Sequence, residues 1–264
     1  MKPQKRFQRP QGGKPDRKFG RQGKPPQDDK LILYGIHTVA AALANPARKA
    51  IRLRATDNAL ARLAESVDLS TVPVETISAQ ALTKSLAADA VHQGAALEVE
   101  PLTPLPLNDL GAAKFVVALD QVTDPHNVGA IMRSAVAFGA DAIMTPWRNS
   151  PRETAVLAKS ASGAVDMLSH IQVSNLGQGL ASLKEQGFQA IGMDSEGAQP
   201  FSELTIGDKV VLVLGAEGKG LRQGVRATCD TVARIELPGV LTSLNVSNAA
   251  AIALYAVTQA RKTP

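Results

Sequence analysis

The strongest constraint on the fold lies in the second half of the chain. Short, almost continuously apolar runs alternate there with helix-like stretches. The runs are "KFVVALD" (114–120), "AIMTP" (142–146), "HIQVS" (170–174), "FQAIGMD" (188–194), "KVVLVLG" (209–215) and "VARIEL" (232–237), and "LGQGLASLKEQG" is one of the intervening stretches. A strand that is apolar at nearly every position cannot leave one face in water. The pattern therefore predicts an α/β fold with a mostly parallel sheet covered by helices on both faces. No internal repeat of fixed period accompanies it.

The first half alternates more irregularly. Helices are expected over residues 37–43, 58–65 and 79–87, and strands over 50–54, 74–77 and 95–99, which makes a small α/β unit. "PLTPLPLNDLG" then places three prolines within six residues, the signature of an extended, stiff connection. The chain is accordingly divided into a tail (1–30), a small unit (31–104), a linker (105–111) and a larger unit (112–264).

Charge separates the tail from the rest. Residues 1–30 carry six Lys and four Arg against three Asp, which is +7, while the whole chain is +5 and the remainder therefore −2. With only two Phe to bury, this Gln-, Gly- and Pro-rich arm is expected to be disordered, and its cationic character suits a polyanion such as RNA. A merely solubilising extension is the alternative. The single cysteine, Cys229, rules out an internal disulfide framework and fits a reducing cytoplasm. Four scattered histidines and one cysteine offer no metal-ligand cluster, so no protein-bound metal is expected. The apolar runs are too short for a membrane span, and no apolar signal segment follows the basic N-terminus.

Three polar clusters stand where strands end. In "LDQVTDPHNVGAIMRSAVAFGAD", a strand closes at Asp120 and a helix is expected to begin near Asn127, itself a good N-cap. Arg133 interrupts that otherwise small and apolar helix, so it must either snorkel outward or meet an anion. His126 beside Pro125 reads as a solvated loop residue. In "VVLVLGAEGKGLRQG", Gly215, Gly218 and Gly220 surround Glu217, a composition that permits positive φ and close backbone approach. The spacing fits neither the dinucleotide fingerprint nor the phosphate loop. In "ARIELPGVLTSLNVSNAAAIALYA", a strand expected to end at Leu237 turns at Pro238-Gly239 into a Ser/Asn-rich entry to the last helix. Either Ser247 or Asn248 suffices to cap that helix, which leaves Ser243, Leu244 and Asn245 for other partners.

In order and spacing, the trio resembles the motifs of the SpoU/TrmH-type RNA 2′-O-ribose methyltransferases of the SPOUT class. "DPHNVGAIMRSAVAFGA" is similar to their first motif, "LVLGAEGKGL" to the second and "SLNVSNAAAIALY" to the third. "YGIHTVAAAL" and "HQGAALEV" resemble the small substrate-binding unit of the 23S rRNA guanosine methyltransferases of this family. Together these cover residues 31 to about 260. The resemblance implies a SPOUT-type α/β trefoil knot, which periodicity could not suggest. It further implies a homodimer with the site near the interface, and S-adenosyl-L-methionine as cofactor. The implied cofactor residues are Gly215, Ile235 and Leu244, and the implied catalytic set is Asn127, Arg133, Glu217, Ser243 and Asn245. Family members commonly carry Ile-Pro-Met before the third motif. This chain has "IELPG", in which Ile235 keeps its spacing to Leu244 and the proline falls two residues later.

The implied reaction is in-line methyl transfer from a sulfonium to a ribose 2′-oxygen. The sulfonium leaves easily, so the difficulty lies in the weakly nucleophilic sugar hydroxyl. Arg133 is the implied partner of that hydroxyl. A guanidinium gives up its proton with difficulty, so its role is either that of a base with a strongly depressed pKa or that of a charge stabilising the developing alkoxide. Asn127 and Asn245 can donate and accept, Glu217 can fix Arg133 or a backbone amide, and Ser243 can bind substrate or cofactor. The implied substrate is RNA, a guanosine of 23S rRNA first and a tRNA position second. An RNA-binding ribosome-assembly factor that retains the fold without catalysis is the reading from another class.

Overall fold

Residues 30–87, 90–241 and 243–261 are described in the computed structural model. The basic tail expected over 1–30 lies outside them, apart from Lys30. The first unit runs β1 (Leu31–Tyr34), α1 (Ile36–Ala44), β2 (Ala50–Ala55), α2 (Asp57–Ala64), β3 (Val74–Thr76), α3 (Ala79–Ser85) and β4 (Ala95–Val99). Its four strands form one sheet in the order β1-β4-β2-β3, antiparallel except for the β2/β3 pair. Strand β1 was not expected. Its four residues sit directly between the tail and a helix, too short a run to show a period.

The larger unit runs β5 (Phe115–Asp120), α4 (Pro125–Ala137), β6 (Ala142–Pro146), α5 (Ala155–Ala161), β7 (Ser169–Val173), α6 (Leu176–Glu185), β8 (Gln189–Met193), β9 (Gln199–Pro200), β10 (Val210–Gly215), α7 (Gln223–Thr228), β11 (Thr231–Arg234) and α8 (Val246–Ala260). Seven strands form a sheet in the order β7-β6-β5-β10-β8-β11-β9, with every pairing parallel. All of β5 and β6, and β10 up to Leu214, are buried. That is the burial their unbroken apolar runs require.

Side chains alternate across this sheet. Phe115, Val117 and Leu119 face the layer that holds α4, α5 and α8, whereas Val116 and Ala118 face the layer of α6 and α7. The first layer continues without a break into Leu33, Leu53 and Leu97 of the small unit, so both units share one hydrophobic core. The proline-rich connection is tied to the sheet as well. The amide of Leu105 donates to His170 O (2.7 Å), and Gln172 donates back to Leu105 O (3.2 Å).

A buried ionic cluster also joins the units. Arg48 lies beyond α1 and is 6% exposed. It donates to Asp166 (2.8 and 3.1 Å), Glu153 (2.6 and 3.1 Å) and the carbonyl of Glu100 (3.2 Å). Burial opposes its charge, but the hydrogen bonds to Asp166 and Glu153 outweigh that effect and leave its pKa above the ordinary arginine value.

Two boundaries differ from expectation for identifiable reasons. Helix α4 begins at Pro125, because Asp124 caps it by accepting from His126 N (3.0 Å) and proline suits the first helical position. Asn127 is therefore in the first turn and not the cap. Strand β11 stops at Arg234 and not at Leu237, since its strand partners among the described residues are the short β9 and the end of β8.

Candidate functional site

The order of the sheet opens a crevice. From β5 the chain passes to α4 on one layer, and from its neighbour β10 it passes to α7 on the other. Loops that leave adjacent parallel strands for opposite faces leave a cleft at the carboxyl edge, where ligands of such sheets bind. Two adjoining cavities occupy that edge. The first, of about 470 Å³, lies between the loop after β5 (Gln121, Thr123, Asp124, with Asn127) and the glycine loop (Ala216, Glu217, Lys219), with Asn149 at its side. The second, of about 490 Å³, lies under the glycine loop and is walled by Gly215, Ile235, Leu237, Ser243 and Leu244, with Asp194 and Glu196 opposite.

The glycine loop is shaped by its own backbone. Gly218 and Gly220 have φ of 74° and 61°. Gly220 N donates to Ala216 O (2.9 Å), so the chain doubles back over the end of β10. A Cβ on Gly215 would lie 2.6 Å from Leu221 N. Glycine at 215 is thus required by the returning loop itself, whereas the sequence suggested room for a ligand. Two carboxylates brace this turn. Asp120, fully buried, accepts from the backbone (2.8 Å) and Nε (2.7 Å) of Arg222. Asp194 takes Arg226 (2.8 Å).

Asn245 brings the three clusters together. Its Oδ1 accepts from Ser247 N (2.9 Å) and Ser247 Oγ (2.6 Å), so it is the cap of α8 in place of Ser247 or Asn248. Its Nδ2 donates to Asn127 Oδ1 (3.1 Å) and reaches Glu217 Oε2 (3.4 Å). One carboxamide therefore starts a helix with its oxygen and links the other two loops with its nitrogen.

Seven of the eight residues singled out from the sequence meet at these cavities or in the Asn245 bridge. Arg133 does not. It is exposed on α4 and lines neither cavity, and its side chain has no hydrogen bond or ion pair among the described residues. Six residues at 3.6 per turn place it about 120° around the helix from Asn127. Asp120, Arg222, Asp194 and Arg226 were missed, although Asp120 and Asp194 share the signal used elsewhere, a polar residue at the end of an apolar strand. His126, expected in a loop, sits in the first turn of α4 beside Ser160 Oγ (3.1 Å). Among the described residues no group of three or more His, Cys, Asp or Glu could hold a metal ion, and no helix is long and apolar enough to cross a membrane.

A parallel sheet with a crevice at its carboxyl edge, joined through a shared core to a smaller mixed-sheet unit, defines a two-unit α/β protein of the ligand-binding kind. Comparison with known proteins makes this specific. The chain matches the SpoU rRNA Methylase family over residues 114–255 and the RNA 2′-O ribose methyltransferase substrate binding family over 32–105. It is 34% identical over 241 residues to the 23S rRNA (guanosine-2′-O-)-methyltransferase RlmB of Vibrio cholerae, spanning 87% of this chain and 97% of that one. It is 36% identical over 211 residues to an uncharacterized tRNA/rRNA methyltransferase of Mycobacterium ulcerans, spanning 76% and 68%. Its fold is shared by the SpoU methyltransferase AviRb of Streptomyces viridochromogenes, solved in complex with the cofactor AdoMet. There the TM-score is 0.74 at 20% identity, covering 89% of this chain and 91% of that one. The chain belongs to the SpoU rRNA methylase family and is an RNA methyltransferase.

Proposed function

We propose that this protein methylates a ribose 2′-hydroxyl of RNA, a guanosine in 23S rRNA, with S-adenosyl-L-methionine as donor. The observation that carries this reading is the Asn245 bridge, which joins Asn127 and Glu217 at the mouth of a nucleoside-sized crevice. The second cavity suits the donor. Its volume lies in the range of small-molecule sites, Ile235, Leu237 and Leu244 offer an apolar wall, and Glu196 offers a carboxylate to a cation, Asp194 being paired with Arg226. When bound, the donor supplies an electrophilic methyl on a good leaving group.

The chain's own residues position the acceptor. Asn127 and Asn245, held by each other, orient the ribose, and Glu217 fixes the Asn245 carboxamide. Ser243 adds a hydroxyl at the wall shared with Leu244. Arg133 points away from the crevice of its own chain and serves a site assembled from two copies, as base or as charge stabiliser. A homodimer is therefore part of the proposal. Support for it comes from the exposed face of α8, where Ile252 and Tyr255 are 44% and 54% exposed beside α4. The trefoil knot and a cytoplasmic location belong to the same reading.

The test is transfer of labelled methyl from S-adenosyl-L-methionine to unmodified 23S rRNA and to tRNA, with the modified nucleotide mapped and the mass of the assembly measured. Methylation of a 23S guanosine is expected. Methylation of tRNA alone would overturn the substrate, and RNA binding without transfer would leave an assembly factor.

A further inference from the structure

Beside the crevice the protein displays its only tryptophan. Trp147 is 56% exposed and follows directly on β6, all five residues of which are buried. It is not on a loose excursion, because its amide donates to Val173 O (2.8 Å) at the end of β7. Two residues later Asn149, at φ 62°, lines the first cavity with Asn127 and Glu217. The backbone at Trp147 is thus tied to β7 and lies two residues from a residue of the crevice wall.

The segment that carries it, residues 147–153, presents cationic side chains. Arg148 and Arg152 are exposed, and neither has an ion pair or hydrogen bond among the described residues. Most other arginines of the fold are engaged: Arg48, Arg222 and Arg226 with carboxylates, and Arg234 with Gly197 O. The one carboxylate of the segment, Glu153, is turned inward and consumed by Arg48 (2.6 Å). An exposed aromatic plane flanked by free guanidinium groups is what single-stranded nucleic acid requires, a surface for a base and charge for the adjoining phosphates. Such a surface also matches the splayed, unpaired bases through which RNA is read.

We propose that Trp147, with Arg148 and Arg152, is a stacking platform for an unpaired base of the RNA substrate next to the nucleotide held in the crevice. The inference rests on the reading of that crevice as the RNA methylation site. It adds a specificity-determining surface to that reading, since a duplexed neighbour offers no free base face to the indole.

The sole tryptophan makes the test direct. The full chain is titrated with a short single-stranded RNA carrying a fluorescent end label. Tryptophan emission and label anisotropy are followed together, with a duplex of the same sequence as control. The expected result is quenching of Trp147 in step with single-strand binding and less of it with the duplex. W147A should bind the single strand about tenfold more weakly, and W147F should recover much of the loss. R148Q/R152Q should lower the slope of log affinity against log salt by about 1.4. Calorimetric binding of S-adenosyl-L-methionine should be the same in W147A. Undiminished emission while anisotropy reports bound RNA would overturn the platform and leave the methyltransferase reading intact. So would wild-type affinity in W147A, or a change of oligomeric state in W147A, which would assign the indole to a contact between copies. Failure of the wild-type protein both to bind RNA and to methylate it would overturn the underlying reading.

Discussion

Replacement of Arg48 by Met tests how firmly the small unit is fixed to the catalytic one. The arginine side chain is wholly inaccessible, and its five hydrogen bonds end on two carboxylates and a carbonyl. Methionine fills the stem but leaves Asp166, 1% exposed, and Glu153, 11% exposed, as neighbouring buried anions. Each retains one neutral donor, Asn45 Nδ2 (3.0 Å) for Asp166 and Leu102 N (2.9 Å) for Glu153. Removal of one partner from a buried ionic cluster costs about 3–5 kcal/mol. With both carboxylates stranded but each partly satisfied, a loss of about 4 kcal/mol is expected. That is a large share of a typical domain stability of about 5–15 kcal/mol. Urea denaturation followed by circular dichroism measures it, and the triple variant R48M/E153Q/D166N, which removes the stranded charges, should regain more than half. A loss in R48M below about 1 kcal/mol would mean that water reaches the cluster as it reaches a surface pair, and would refute the reasoning.

Further outcomes follow from other sites. His170, held by Thr145 Oγ1 (2.7 Å), is pushed by burial from 6.5 down to about 4. The unfolded imidazole gains a proton below 6.5 and the folded one only near 4, so this group's contribution to stability falls as pH drops through that window, by about 3 kcal/mol. H170Q should flatten the stability–pH curve there, and a curve parallel to the parent's would discount the buried imidazole. Gly215→Ala should push the glycine loop off β10 and weaken S-adenosyl-L-methionine binding at least tenfold by calorimetry, on the order of 1.4 kcal/mol; unchanged affinity would detach that loop from the cofactor cavity. Burial first, then Asp230, raises the Cys229 thiol to about 11. It should resist alkylation at pH 7 until the protein is denatured, and rapid labelling of the native protein would contradict this environment.

The parallel sheet was legible because burial on both faces writes itself into every residue of β5, β6 and β10. The three strand-end clusters were legible for a related reason, since polar side chains stand out after such runs. Their meeting point is written in no local pattern and was implied only by the family resemblance. It depends on β10 lying between β5 and β8, a crossover that no local pattern records. The position of Arg133 depends on the phase of α4 relative to the crevice, and that phase is set by packing against α5 and α8. The cap of α8 was assigned to Ser247 or Asn248 and not to Asn245 because the polar entry to α8 contains several good caps, and only the fold decides which of them meets the helix.

The double duty of Asn245 has a consequence for biosynthesis. Chains grow from the amino end, so every strand of the sheet is made before the residue that ties Asn127 to Glu217 and starts α8. A chain that stops or is clipped ahead of position 245 retains all seven strands and loses the bridge. Such a fragment lacks both the link between the site loops and the core residues that α8 supplies, Ala250, Ala253, Leu254 and Val257.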